Sequence, residues 1–180
     1  MRAGQDVVLT KWAALSGTLE IVRLKEEELQ KRFAPFFIKQ IKALSASLLV
    51  REEEGLEQRQ DISFVCEVGE GGIFAALWRL AGEAGTGITV DMKRISIRQE
   101  TIEVCEYYRL NPYQLLSDGS FLIVADDGRM LVEELMQKGI HASLIGRLTD
   151  SNDKILRNGE EIRYIDRPAP DEIGKTGVEN

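Results

Sequence analysis

The residues best suited to chemistry lie in one stretch, Cys66 to Gly85, which reads CEVGEGGIFAALWRLAGEAG. Glu67, Gly69, Glu70, Gly71 and Gly72 come just before an amphipathic run that begins at Ile73. A glycine-rich loop opening a helix can turn free backbone amides toward an anion such as phosphate. These five residues are therefore the candidate substrate- or phosphate-binding set. A tight strand-to-helix connection that needs glycine only for its backbone conformation explains the same pattern. Lys11 and Arg98 are weaker phosphate candidates, because a lone basic residue on an acidic chain is usually solvated.

Other reactive types are sparse. Cys66 and Cys105 sit among apolar neighbours in FVCEV and IEVCEYY, where a thiol packs as a small core residue. With no CxxC and only His141 besides, no zinc set forms, and no metal ligands are assigned. Asp126 and Asp127, in ADDG, read as a turn and helix cap rather than a metal pair. The stretch NPYQLLSDGS, Asn111 to Ser120, is a second candidate edge that a helix stop plus turn also explains.

Composition narrows the class. The formal charge of -7, from 30 acidic and 23 basic residues, argues against a general nucleic-acid binder, which needs clustered Lys and Arg. No apolar run approaches the roughly 20 residues of a membrane span, and MRAGQD lacks the apolar stretch of a signal peptide, so the default setting is cytoplasmic. A chain of 180 residues with 43% hydrophobic content can build a core of its own, and residues 1–180 are expected to form a single domain.

The elements that must position the loop follow from periodicity. Val7 to Thr10 reads as a strand, and helical spacing then runs through Leu19, Val22, Leu29 and Phe33, with Pro35 opening a second helix. The stretch from Ser45 to Asp61 is a frayed helix or a loop. ISFVCEV is a strand, Ile73 to Ala84 a helix, ITVDM a strand and IRQETIEVCEYYRL a helix. FLIVA is a central strand followed by a turn and a helix that Gly139 stops. HASLIGRLT is a further strand. KILRNGEEIRYI predicts a hairpin with Asn158 and Gly159 as its turn, and residues 168–180 a mobile tail. Mixed connections predict antiparallel pairs in a sheet with helices on both faces.

The order of these motifs resembles the C-terminal domain of the aminoimidazole ribonucleotide (AIR) synthase-related superfamily, including its hydrogenase maturation branch. That domain carries an Asp-x-Thr-x-Gly-Gly loop leading into a helix, and Glu67 to Gly72 stand in its place. The likeness continues from GIFAALWRLAGEAG through SDGSFLIV, and AGQDVVLTKWAALSGT is similar to the segment that opens the family's domain. Two positions depart: Glu67 replaces Asp, and Gly69 replaces Thr and so lacks its hydroxyl.

The resemblance implies an α+β fold like the PurM C-terminal domain, a mixed sheet between helix layers. It implies half of a nucleotide and substrate cleft in an ATP-dependent ligase or dehydratase, whose chemistry activates an amide-type oxygen by phosphorylation. The other half would be the family's N-terminal domain, which supplies aspartates for magnesium and ATP and is expected to lie outside this chain, as a partner in cis or in trans. The chain alone is expected to bind no cofactor and to lack catalysis. The alternative is a non-catalytic interaction or ligand-binding module that self-associates as a homodimer, its uncovered apolar face lying along Trp12 to Phe37.

Overall fold

The computed structural model describes residues 1–177. Seven strands form one mixed sheet: β1 (Asp6–Thr10), β2 (Ile62–Gly69), β3 (Gly87–Asp91), β4 (Ser117–Ala125), β5 (Ala142–Thr149), β6 (Lys154–Asn158) and β7 (Glu161–Tyr164). Their order is β2-β4-β1-β5-β3-β6-β7, and every neighbouring pair is antiparallel except β3 with β6. The helices are α1 (Leu15–Leu29), α2 (Pro35–Ala43), α3 (Gly72–Ala84), α4 (Gln99–Tyr108) and α5 (Gly128–Gln137).

The sheet lies between helix layers because its central strands are apolar on both sides. Successive strand residues point to opposite faces. Val7, Leu9, Leu122 and Val124 pack with Ile73, Ala76, Leu77 and Leu80 of α3. Their sequence neighbours Val8, Ile123 and Ala125 pack with Leu131 and Leu135 of α5. FLIVA is continuously apolar for this reason. No helix among the described residues is long and apolar enough to cross a membrane.

A third core holds the helices α1, α2 and α4 together. Ile21, Val22, Leu29, Phe33, Ile38 and Ile41 meet Val104, Cys105, Leu115 and Ile173 there. This packing takes up the apolar excess between Trp12 and Phe37, and only Leu24, at 45%, and Phe36, at 77%, stay broadly exposed. The stretch from Ser45 to Asp61 winds into two 3-10 turns, Leu44–Leu48 and Glu52–Gln58.

Two expectations need correction. In the β6–β7 hairpin Asn158 pairs with Glu161, so the two-residue loop is Gly159 and Glu160, one position later than expected. Gly159 has φ 65, the conformation a type II′ turn asks of its first loop residue. The segment expected to be a mobile tail from residue 168 is docked through Gly177: Ile173 is 1% exposed and joins the third core. The apolar Ile173 and the carboxylate of Asp171 anchor it, two contacts too short to register as a periodic pattern. Residues 178–180 lie outside the described residues.

Candidate functional site

The glycine loop joins β2 to α3 beside the start of β4, where Gly69 pairs with Ser117. Its shape depends on three backbones in the left-handed region: φ is 68 at Gly69, 81 at Gly71 and 71 at Gly72. At Gly72 a Cβ would also lie 2.6 Å from the Tyr113 carbonyl oxygen and 2.8 Å from the Leu115 nitrogen. Only glycine fits there, whether or not anything binds. Behind the loop, a cavity of about 160 Å³ runs past Gly71, Phe74, Asn111 and Gln114 to Arg163 and Arg167.

Glu67 points across the strand ends. Its carboxylate accepts from the Gly119 N–H at 2.7 Å and from both terminal nitrogens of Arg51, at 3.2 and 3.0 Å. Partial burial opposes its charge, but Arg51 and the Gly119 amide outweigh that and hold the carboxyl below the usual range. Asp118 shifts the other way, pushed up by partial burial and by the neighbouring Glu67, Asp171 and Glu70 carboxylates.

The amide that should await an anion is already occupied. The Gly71 N–H donates to Asp171 Oδ2 at 2.7 Å, while Asp171 Oδ1 accepts from the N–H groups of Leu116, at 3.2 Å, and Ile173, at 2.9 Å. A carboxylate from the docked C-terminal segment thus sits at the start of α3, where the helix dipole favours negative charge. With Glu67, Glu70 and Asp118 nearby, the loop does not form a cradle for bare phosphate. Among the described residues no group of three His, Cys, Asp or Glu side chains is placed to hold a metal ion.

The fold agrees with what known proteins show. The family model described as AIR synthase related protein, C-terminal domain, matches residues 2–157. The chain belongs to this family. One relative is the phosphoribosylformylglycinamidine synthase subunit PurL of Methanopyrus kandleri, 27% identical over 101 residues, which cover 53% of this chain and 13% of that subunit. Among solved structures, Escherichia coli HypE, a hydrogenase maturation protein, superposes with a TM-score of 0.73 at 16% identity, over 98% of this chain and 53% of that one. HypE in complex with ATP gives a TM-score of 0.67 at 13% identity, over 96% of this chain and 53% of that one. The chain spans about half the length of these solved structures, and at such identities they establish the fold.

Within this AIR synthase related domain the two weaker basic candidates have other employment. Lys11, expected to be solvated, is 2% exposed; its Nζ donates to the Val50 carbonyl, at 2.5 Å, and to the Gly119 carbonyl, at 2.6 Å, and lies 3.1 Å from Glu53 Oε1. Buried and fully engaged, it is unavailable to a phosphate. Arg98 forks onto Glu100 at 3.1 Å and covers the Trp12 ring at 5.2 Å.

The remaining reactive side chains are structural. Asp127 caps α5 by accepting from the Met130 N–H, as ADDG led one to expect. Burial pushes the Cys66 thiol up to about 11 and the Cys105 thiol to about 12, so neither is a thiolate at neutral pH. His141 stacks on Trp12 at 4.9 Å and shares a hydrogen bond with Ser96 Oγ, and burial, aided by Arg98, lowers its pKa. Arg51 and Asp171, which shape the loop, carried no signal in the sequence: Arg51 lies 16 residues before Glu67 and Asp171 lies 100 residues beyond Gly71, each in a segment without periodicity.

Proposed function

We propose that this domain forms one wall of a nucleotide and substrate cleft in an ATP-dependent ligase or dehydratase, acting with the N-terminal domain of its family in cis or in trans. The observation that carries this reading is the β2–α3 loop, shaped by three left-handed glycines and flanked by a fixed Glu67 in a chain of this family. Glu67, Gly69, Glu70, Gly71 and Gly72 would face the substrate side, while magnesium and the ATP phosphates would depend on the partner domain. The Asp171 carboxylate on the Gly71 amide, which leaves phosphate to the partner domain, fits that division of labour.

The test is phosphate release from Mg-ATP by the purified chain, alone and mixed with a separately produced N-terminal domain of the family. No turnover alone, turnover with the partner, and a loss on Glu67→Gln are the expected results. Turnover by the chain alone that disappears with Glu67→Gln would overturn the divided cleft.

Asp171 favours a second reading, a non-catalytic interaction module, whose self-association would need a surface other than the covered Trp12 to Phe37 face. Its carboxylate already holds the Gly71 amide, so the loop is satisfied without a ligand. Sedimentation at micromolar concentration tests this: a homodimer, with no turnover in the presence of the N-terminal domain, supports it, and a strict monomer rejects it.

A further inference from the structure

The two ends of the sheet differ in how they present a free strand edge. β2 closes one end, and its pairing with β4 shifts register twice, between Ile62 and Phe64 and between Glu67 and Gly69. Such irregularities spoil an edge for further pairing. β7 closes the other end as the run EIRY, in unbroken register with β6 and without proline or lysine. All four of its residues are exposed, and Ile162, at 51%, and Tyr164, at 64%, leave large apolar side chains in water.

The ladder between β6 and β7 fixes which backbone groups this edge offers. The Ile165 N–H donates to the Lys154 carbonyl at 2.8 Å, which makes Lys154 and Ile165 a hydrogen-bonded pair. Antiparallel ladders alternate such pairs with pairs that are not bonded, so Glu161 and Arg163 also turn their backbone groups toward β6. Ile162 and Tyr164 therefore turn their N–H and carbonyl groups outward, where no strand lies among the described residues. The side chains alternate too: Arg163 shares a face with Leu156, and Ile162 shares the other with Arg157. Arg163 Nε donates to Glu161 Oε1 at 3.0 Å, and both side chains stay more than half exposed.

We propose that two copies of this chain join through β7, antiparallel about a two-fold axis, with Ile162 opposite the partner's Ile162. The inference rests on the self-association reading above and supplies the surface that reading needs. Two-fold pairing of a strand with its copy sets one residue opposite itself. Centred on Glu161 or Arg163, it would oppose like charges; centred on Tyr164, it would set Arg163 against the buried Ile165. Centred on Ile162, it joins two outward-facing backbones by reciprocal N–H to carbonyl bonds and sets apolar against apolar. The same register places Glu161 opposite the partner's Arg163, and Arg163 opposite the partner's Glu161. The strand is thus complementary to itself in one register, and pairing would continue the seven-stranded sheet into the second copy. Because Arg163 also lines the cavity behind the glycine loop, the partner's Glu161 would stand beside that cavity.

Sedimentation equilibrium of the whole chain from micromolar to millimolar concentration tests the proposal, and a strand this short predicts a weak dimer. Ile162→Pro should abolish it: the ring removes the N–H offered to the partner, while an edge strand tolerates proline where its N–H faces solvent. Arg163→Glu should weaken it about tenfold, as two opposite-charge pairs become like-charge pairs. Glu161→Arg combined with Arg163→Glu should restore it, and matching melting midpoints would show that the variants fold. A dimer indifferent to Ile162→Pro, or a charge swap that restores nothing, overturns the β7 surface while leaving self-association standing. A chain that stays monomeric throughout overturns both, the outcome expected if this edge takes an extended segment of another protein.

Discussion

Two ion pairs flank Gly119, one holding its N–H and the other its carbonyl. Its carbonyl accepts from Lys11, which faces Glu53 at 3.1 Å with side-chain exposures of 2% and 0%. Its N–H donates to Glu67, which faces Arg51 at 3.0 Å with exposures of 33% and 41%. The same pairing of charges therefore occurs once in the interior and once at the surface. The buried cation is a structural pin with no freedom to meet a ligand, while the exposed carboxylate is held in place yet remains open to one side. Solvent access, more than residue type, separates the two roles.

The largest effect should come from breaking the buried pair. Lys11→Met leaves Glu53 charged and enclosed, and neither of its oxygens accepts a hydrogen bond among the described residues. A loss of about 3–5 kcal/mol is expected in urea unfolding, most of it recovered in the double variant Lys11→Met with Glu53→Leu. A single-variant loss below about 1 kcal/mol would show that the pair is solvated after all.

Next comes the loop. Gly72→Ala forces a Cβ into the Tyr113 carbonyl in a left-handed backbone, at an expected cost of about 1–3 kcal/mol or more. Gly82→Ala, in α3 with nothing within 4 Å of the added carbon, should instead stabilise by roughly 0.5–1 kcal/mol. Equal melting midpoints for the two would remove the steric account of Gly72 and strengthen a ligand-based one.

The smallest effect is expected at the surface pair. Glu67→Gln should change stability by at most about 1 kcal/mol, less at high salt. Its folded pKa is lowered, so its stabilising contribution is present above the unfolded value of about 4.3 and is lost as pH falls through the folded value. Acid unfolding curves of the wild type and variant should therefore converge at low pH. A gap that widens on acidification would contradict the assigned direction.

Much of the fold was legible in the sequence because its elements advertise themselves locally. FLIVA marked a strand buried on both faces, Ile73 to Ala84 showed one apolar helical stripe, and Gly139 stopped α5 where expected. The candidate loop was legible for the same reason, three glycines at a strand-to-helix junction. The state of its amides was not, since Asp171 lies 100 residues beyond Gly71 and a solitary aspartate among prolines resembles any turn. The cross-strand neighbours were equally silent. Arg147 beside Thr89 and Arg157 beside Asp91 are scattered singly through an acidic chain, and sheet register brings each pair together.

Local pattern thus carried the kinds of element, the order in which they follow one another and the position of the glycine loop, since periodicity and backbone preference act over a few neighbouring residues. Tertiary packing set which charges are buried, which amide is already paired, and which apolar surface stays uncovered. Lys11 could be a solvated lysine until Glu53 and Gly119 close around it, and Trp12 to Phe37 could be an exposed face until α4 and Ile173 cover it. Those outcomes depend on contacts between residues distant in the chain, which local periodicity does not record.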